Sequence, residues 1–399
     1  MNPTSSSVEG NDTSQRVFSV YEENVLFGAV AIGRMIGSYP AIKAFDAFGL
    51  KTSFTGFGLM SGITTITVPI FGTGFWPFLF NRFTQGISEA SGLLALGYIP
   101  GDLGRIKEKS FFASILTCCN QLGICFIMPI SGFMCTSSLG WESAWYLSGV
   151  LTVVSFVLFF FTYTSTDQVN SRKASLIEAI PSKSHKKVPY YEILTSRVFW
   201  GIMIVGFGDS FGYSVFSLYG PTYINKVLGF EVMHTGFLAA LPYICSIVTK
   251  TLGGLFLDRA TCIKEKHRVY IAVSLFQAAM AGCFLALAFI TPEMSLFGQA
   301  MVTLMTVFSG VSFVGIISGS QIISKQYNYL ITTSFTFKSG LAGMLVPVMV
   351  GALAPNHEHS EWQTVVFFVT GLLTLTNVLF IAMTKVEPAE WTKDEVTAL

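Results

Sequence analysis

Apolar stretches long enough to cross a bilayer recur eleven times in this chain, near residues 25–44, 53–73, 76–100, 110–134, 144–164, 198–219, 235–257, 269–291, 295–320, 331–353 and 362–384. A hydrocarbon core about 30 Å thick takes roughly 20 residues of helix, and within it every backbone N–H and C=O has to be bonded inside its own segment. Little but short loops remains between the eleven, so the chain reads as an all-α integral membrane protein. The composition agrees: 51% of residues are hydrophobic and 12% charged, where soluble domains carry roughly 25% charge. A net charge of +1 offers no footprint for nucleic acid.

The lysines and arginines set the orientation. With the N-terminus outside, the inner segments hold 18 of the 24 basic residues, the outer ones only Arg16 and Lys226, and Arg34, Arg82, Lys250 and Lys338 fall within spans. Five spans (25–164) precede a polar, basic connector (165–197), and six follow (198–384), between an expected disordered tail (1–24) and a cytoplasmic tail (385–399). A long connector between two groups of helices fits a two-bundle transporter. The seven cysteines lie almost all inside apolar runs without metal-ligand spacing, which makes them packing residues. No Walker loop and no GxSxG elbow occurs, so neither an ATP-driven pump nor a hydrolase is expected, nor a cofactor or metal. Asn11-Asp12-Thr13 is a glycosylation sequon on the outer side.

Ions within spans are costly, about 2.5–3.5 kcal/mol each on insertion scales, and therefore informative. In NRFTQGISEASG (81–92), Arg82 and Glu89 are two helical turns apart on one face, with Gln85 on the same stripe. Lipid cannot solvate that stripe, so it either lines a wet path or locks two helices together. Asp209 sits mid-span in FGDSFGYS and Arg34 in AIGRMIG. Lys250 and Lys338 lie nearer the inner helix ends, where snorkelling accounts for them.

An internal echo joins the two groups of spans. PAIKAFDAFGLK near residue 40 and GGLFLDRATCIKEK near residue 253 each close a helix on small residues, then place an Asp and bases at its inner end. Asp46 and Lys51 in one copy, and Gly253, Gly254, Asp258 and Arg259 in the other, are expected to latch the inner ends of neighbouring helices and gate the path.

This repeated signature resembles that of the major facilitator superfamily. RFTQGISEA (82–90), LGWESAWYLSG (139–149), GPTYINKVLGFEVMHTGFLAALPYI (220–244), VPVMVGALA (346–354) and EWQTVVFF (361–368) are similar to its anion:cation symporter branch, which includes sodium–phosphate cotransporters, sialin and vesicular glutamate transporters. The resemblance implies a two-bundle fold of twelve helices, matched here from the second helix onward, giving eleven. It also implies a central site for a small inorganic or organic anion, driven by a proton or sodium gradient or by membrane potential, in a plasma membrane or an acidic vesicle or lysosome membrane. By position, Arg82, with Gln85 and Arg34, would bind the anion, and Glu89 and Asp209 would couple the ion. Arg34 and Asp209 are expected to form a charge pair peculiar to this chain. The alternative is a non-transporting relative, a sensor or scaffold, or the product of an incomplete gene model.

Overall fold

The computed structural model describes residues 18–71, 74–102, 109–163 and 189–392. Asn11 and most of the expected N-terminal tail and connector lie outside the described residues. All secondary structure among these residues is helical: α1 (Val20–Phe71), α2 (Phe75–Asp102), α3 (Lys109–Thr136), α4 (Gly140–Thr162), α5 (Tyr190–Thr195), α6 (Arg197–Lys226), α7 (Val232–Arg259), α8 (Glu265–Tyr270), α9 (Phe276–Leu287), α10 (Ser295–Ser324), α11 (Asn328–Leu353) and α12 (His359–Met383). A π-turn, Ile271–Leu275, joins α8 to α9 as one span.

Nine of these segments are long and apolar enough to cross a membrane. Two more complete the eleven spans read from the sequence. The helix α1 covers two spans, broken at Gly49, whose φ of 76° and ψ of 168° turn the chain back at the inner end. Only glycine adopts that conformation without strain. The other is α2, whose 28 residues reach across a bilayer although its polar stripe lowers its hydropathy. It begins at Phe75, and the Gly74 N–H before it donates to the Phe71 carbonyl at the end of α1 at 3.1 Å.

The first half, α1 to α4, is organised around α1, which packs on α2 and α4; the second, α5 to α12, packs α10 on α7 and α9, and α12 on α6 and α9. Two seams join the halves: α3 against α7, and α1 with α2 against α11. Large apolar side chains on the outside, among them Phe133, Phe161, Leu275 and Leu375, are exposed, a surface made for lipid. Residues 385–392, expected as tail, fold back on the second half: Val386 and Trp391 are buried, and the Ala389 N–H donates to the Ile323 carbonyl at 3.1 Å.

Within the first half, close packing decides which polar groups meet. Gly33 and Gly37 of α1 face Gly86 and Ile87 of α2; a Cβ on Gly37 would lie 2.7 Å from Ile87 Cα, and one on Gly86 would strike the Val30 carbonyl. Small residues four apart let two helix backbones approach in a membrane. The approach brings the polar face of α1 against that of α2.

Candidate functional site

A cavity of about 550 Å³ lies between the halves, lined from α1, α2, α3, α6, α7, α10 and α11. Its depth follows from helix geometry. At 1.5 Å per residue, Arg34 stands about 15 Å from Asn24 near the outer end of α1 and about 18 Å from Asp46 near its inner end. Asp209 and Lys338 are each more than two turns into their helices. The site is therefore near mid-membrane.

Arg34, Arg82, Glu89, Asp209, Lys250 and Lys338 are its charged lining residues among those described. Arg82 and Glu89 do look into one shared cavity, as their spacing suggested. Gln85 does not line it. Its amide bonds sideways, Nε2 donating to Thr65 Oγ1 at 3.1 Å and Oε1 accepting from Arg82 Nη1 at 3.4 Å. Arg82 is further held over two rings, 5.2 Å from the centroid of Phe78 and 4.7 Å from that of Trp145 on α4. Stacked guanidinium groups keep their outward N–H edge available.

The expected pair of Arg34 with Asp209 is not formed. Arg34 Nη2 lies 2.5 Å from Glu89 Oε1, and its Nη1 donates to Ser339 Oγ of α11 at 3.2 Å. The close α1–α2 crossing decides this, because it sets Arg34 beside Glu89 on the neighbouring helix. Asp209, 2% exposed, instead lies in the field of Lys338 and, more weakly, of Lys250, and its Oδ1 has no hydrogen-bond partner.

Lys250 and Lys338 do not snorkel. They are 2% and 3% exposed and line the cavity. Lys250 stands nine residues before the end of α7, about 14 Å along the axis, farther than its stem reaches. Each lysine occupies a slot left by a glycine: a Cβ on Gly206 would lie 2.5 Å from Lys338 Nζ, and one on Gly310 would lie 3.1 Å from Lys250 Cγ. Lys338 Nζ donates to the Gly206 carbonyl at 2.5 Å and to Ser210 Oγ at 3.0 Å. Lys250 Nζ donates to Gln121 Oε1 of α3 at 3.0 Å, across the seam. Sequence reasoning missed both as site residues; the available signal was the pair of small residues in facing spans.

Below the cavity, the two copies of the gating signature behave differently. Asp258 crosses the seam and caps α3: the N–H groups of Ser110 and Phe111 donate to its carboxylate at 3.2 and 2.8 Å. A carboxylate there satisfies free helix N–H groups and meets the positive end of the helix dipole. Ser110 and Ser318 of α10 share a hydroxyl bond of 2.9 Å, also between the halves. Gly254 permits this closeness, since a Cβ there would lie 2.6 Å from Ser114 Oγ and 2.9 Å from Phe111 Cα. Gly253 packs toward Val311 within the second half. Asp46 accepts from Tyr98 Oη at 3.1 Å, and Lys51 lies 5.0 Å over the Phe160 ring, both contacts staying within the first half. Arg259 follows Asp258 as the last residue of α7. Above the cavity, Tyr219 Oη donates to Asn24 Oδ1 at 2.5 Å, again between halves.

A family model described as Major Facilitator Superfamily matches residues 13–327. The chain belongs to the major facilitator superfamily. Among curated relatives, sialin of Homo sapiens is 25% identical over 388 residues, covering 92% of this chain and 76% of its own length. The probable small intestine urate exporter of Mus musculus is 24% identical, covering 98% and 83%, and vesicular glutamate transporter 3 of Danio rerio is 23% identical, covering 80% and 56%. These names fall in the anion:cation symporter branch that the sequence motifs resemble. The crystal structure of a D-xylose-proton symporter superposes with a TM-score of 0.70 at 15% identity, covering 92% of this chain and 91% of that one, and shares the fold. The protein is a multi-pass membrane protein of a transporter family whose members are carriers and not enzymes.

Proposed function

We propose that this major facilitator carries a small organic or inorganic anion across its membrane by alternating access, driven by a proton or sodium gradient or by membrane potential. The observation that carries the reading is the charge of the cavity: four cations, Arg34, Arg82, Lys250 and Lys338, against two carboxylates, Glu89 and Asp209. A surplus of positive charge in a low-dielectric enclosure attracts anions and repels cations. Relatives named for urate and for glutamate point the same way.

In this reading Arg82 supplies the first electrostatic pull, its fork of donors held by Phe78, Trp145 and Gln85. Glu89 is the coupling carboxylate. When a proton adds to Glu89, its charge is lost and Arg34 is released from the pair to meet the anion. When the proton leaves, Arg34 and Glu89 close again and the anion is expelled. Asp209 balances Lys338 in the second half. The contacts of Asp258 with α3, and of Asn24 with Tyr219, would part in alternation as the halves rock about the site.

The test is uptake of radiolabelled phosphate, L-glutamate and urate by the purified chain in liposomes under an imposed pH gradient, sodium gradient or membrane potential. Accumulation of one of them that an Arg82→Gln variant lacks supports the reading. No accumulation of any under every gradient sinks it.

A further inference from the structure

The six charges of the cavity divide evenly between the halves. The first half supplies Arg34, Arg82 and Glu89; the second supplies Lys250, Lys338 and Asp209. Each half therefore holds two cations and one carboxylate. In the first half, Arg34 is committed to Glu89, which leaves Arg82 as the surplus. In the second half, Lys338 is committed to α6 through Gly206 and Ser210, which lie on either side of Asp209. Lys250 is then the surplus. Among the described residues neither lysine has a carboxylate within ion-pairing distance.

Lys250 differs from the other three cations in what holds it. Its ammonium donates to a single neutral acceptor, the side-chain oxygen of Gln121, and lies 5.3 Å from the Phe313 ring. Gln121 is itself 3% exposed and belongs to the other half. A buried ammonium satisfied by one amide is poorly compensated, because the amide oxygen brings no countercharge and a buried charge is costly unless it is paired. Gln121 is thus a weak competitor for a strong donor, positioned on the cavity wall where an anion would arrive.

We propose that Lys250 is the anion ligand of the second half, and that Gln121 is its exchangeable placeholder. Resting on the anion-transport reading above, the arrival of the anion transfers Lys250 from Gln121 to itself, so the substrate carries a charged acceptor, a carboxylate or phosphate oxygen, that displaces a neutral amide.

The experiment is equilibrium binding of radiolabelled L-glutamate, urate and inorganic phosphate to the purified full chain in detergent. Absence of binding by the unmodified chain counts against anion transport itself. Given binding, Lys250→Gln is expected to weaken it by about tenfold or more, and Lys250→Arg to retain most of it. Gln121→Glu, which presents the ammonium with a permanent carboxylate, is expected to weaken binding by a similar factor. Gln121→Leu removes the competitor and should tighten binding by roughly two- to fivefold, a gain that damage to the fold cannot produce. If Lys250→Gln does not fold, the two Gln121 variants decide. Unchanged affinity in both overturns the proposal, as does unchanged affinity in a folded Lys250→Gln variant.

Discussion

Arg34 and Glu89 meet at 2.5 Å in the cavity wall, on two helices whose backbones touch through Gly33, Gly37 and Gly86. The arginine side chain is 20% exposed and the glutamate 52%, so the pair is partly desolvated and open to the cavity. Removing one partner leaves the other charge without its ion-pair partner. Arg34→Ala and Glu89→Gln are each expected to lower stability by only about 0.5–1 kcal/mol, since the half-exposed glutamate is screened by solvent, and uptake by tenfold or more. The charge-swapped double variant should recover thermal stability relative to the swapped singles. Unfolding midpoints in detergent over the full cycle measure the coupling; simple additivity of the singles would mean that the pair is idle.

The cap that Asp258 places on α3 predicts an asymmetry in gating. Asp258→Asn should cost about 0.5–2 kcal/mol at the inner seam and favour its opening. The readout is Cys119, which lines the cavity. In a variant keeping only that cysteine, an impermeant thiol reagent added from the inner side should label it several-fold faster when Asp258 is changed. Asp46→Asn should leave the labelling rate close to its starting value, because its contact stays in one half.

Backbone contact between α1 and α2 predicts a large cost for a small change. Gly86→Ala puts a methyl into the Val30 carbonyl and should destabilise by about 1–3 kcal/mol, the range typical of overpacking. Gly123→Ala, where nothing lies within 4 Å, should be neutral or slightly stabilising, since alanine is the better helix former. Equal unfolding temperatures for the two would contradict the close crossing.

The rings beneath Arg82 predict a separate effect on affinity. Trp145→Leu removes a cation–π contact worth roughly 0.5–2 kcal/mol and frees the guanidinium to swing away. Anion affinity should fall several-fold, with Trp145→Phe in between. Binding isotherms for the three proteins give the order; an affinity independent of residue 145 would show that the stack plays no part.

Much of the architecture was readable before any coordinates. Long apolar runs leave no choice but membrane helices, and the stripe of Arg82 and Glu89 demanded a polar interior. Partners were harder. Which helices touch depends on small residues that carry no charge, so Arg34 was matched with Asp209 although Gly33, Gly37 and Gly86 tie it to Glu89. The depth of Lys250 and Lys338 depends on helix ends, and boundaries uncertain by a few residues were enough to move two buried ammonium groups to the interface. The echo of Asp46 and Asp258 is symmetric in sequence and asymmetric in space, because only the second reaches a helix terminus of the other half.

The π-turn between α8 and α9 carries a wider meaning. One extra residue in that turn disturbs the regular ladder, and the Ser274 carbonyl there accepts from Asn377 Nδ2 of α12 at 2.9 Å. Three residues later, Gln277 Nε2 donates to Thr376 Oγ1 at 3.0 Å. These buried stitches tie a discontinuous rod to its neighbour, so that α12 and the α8–α9 segment turn as one piece, and a rocking motion begun at the charged centre carries both together instead of dissipating in a bend.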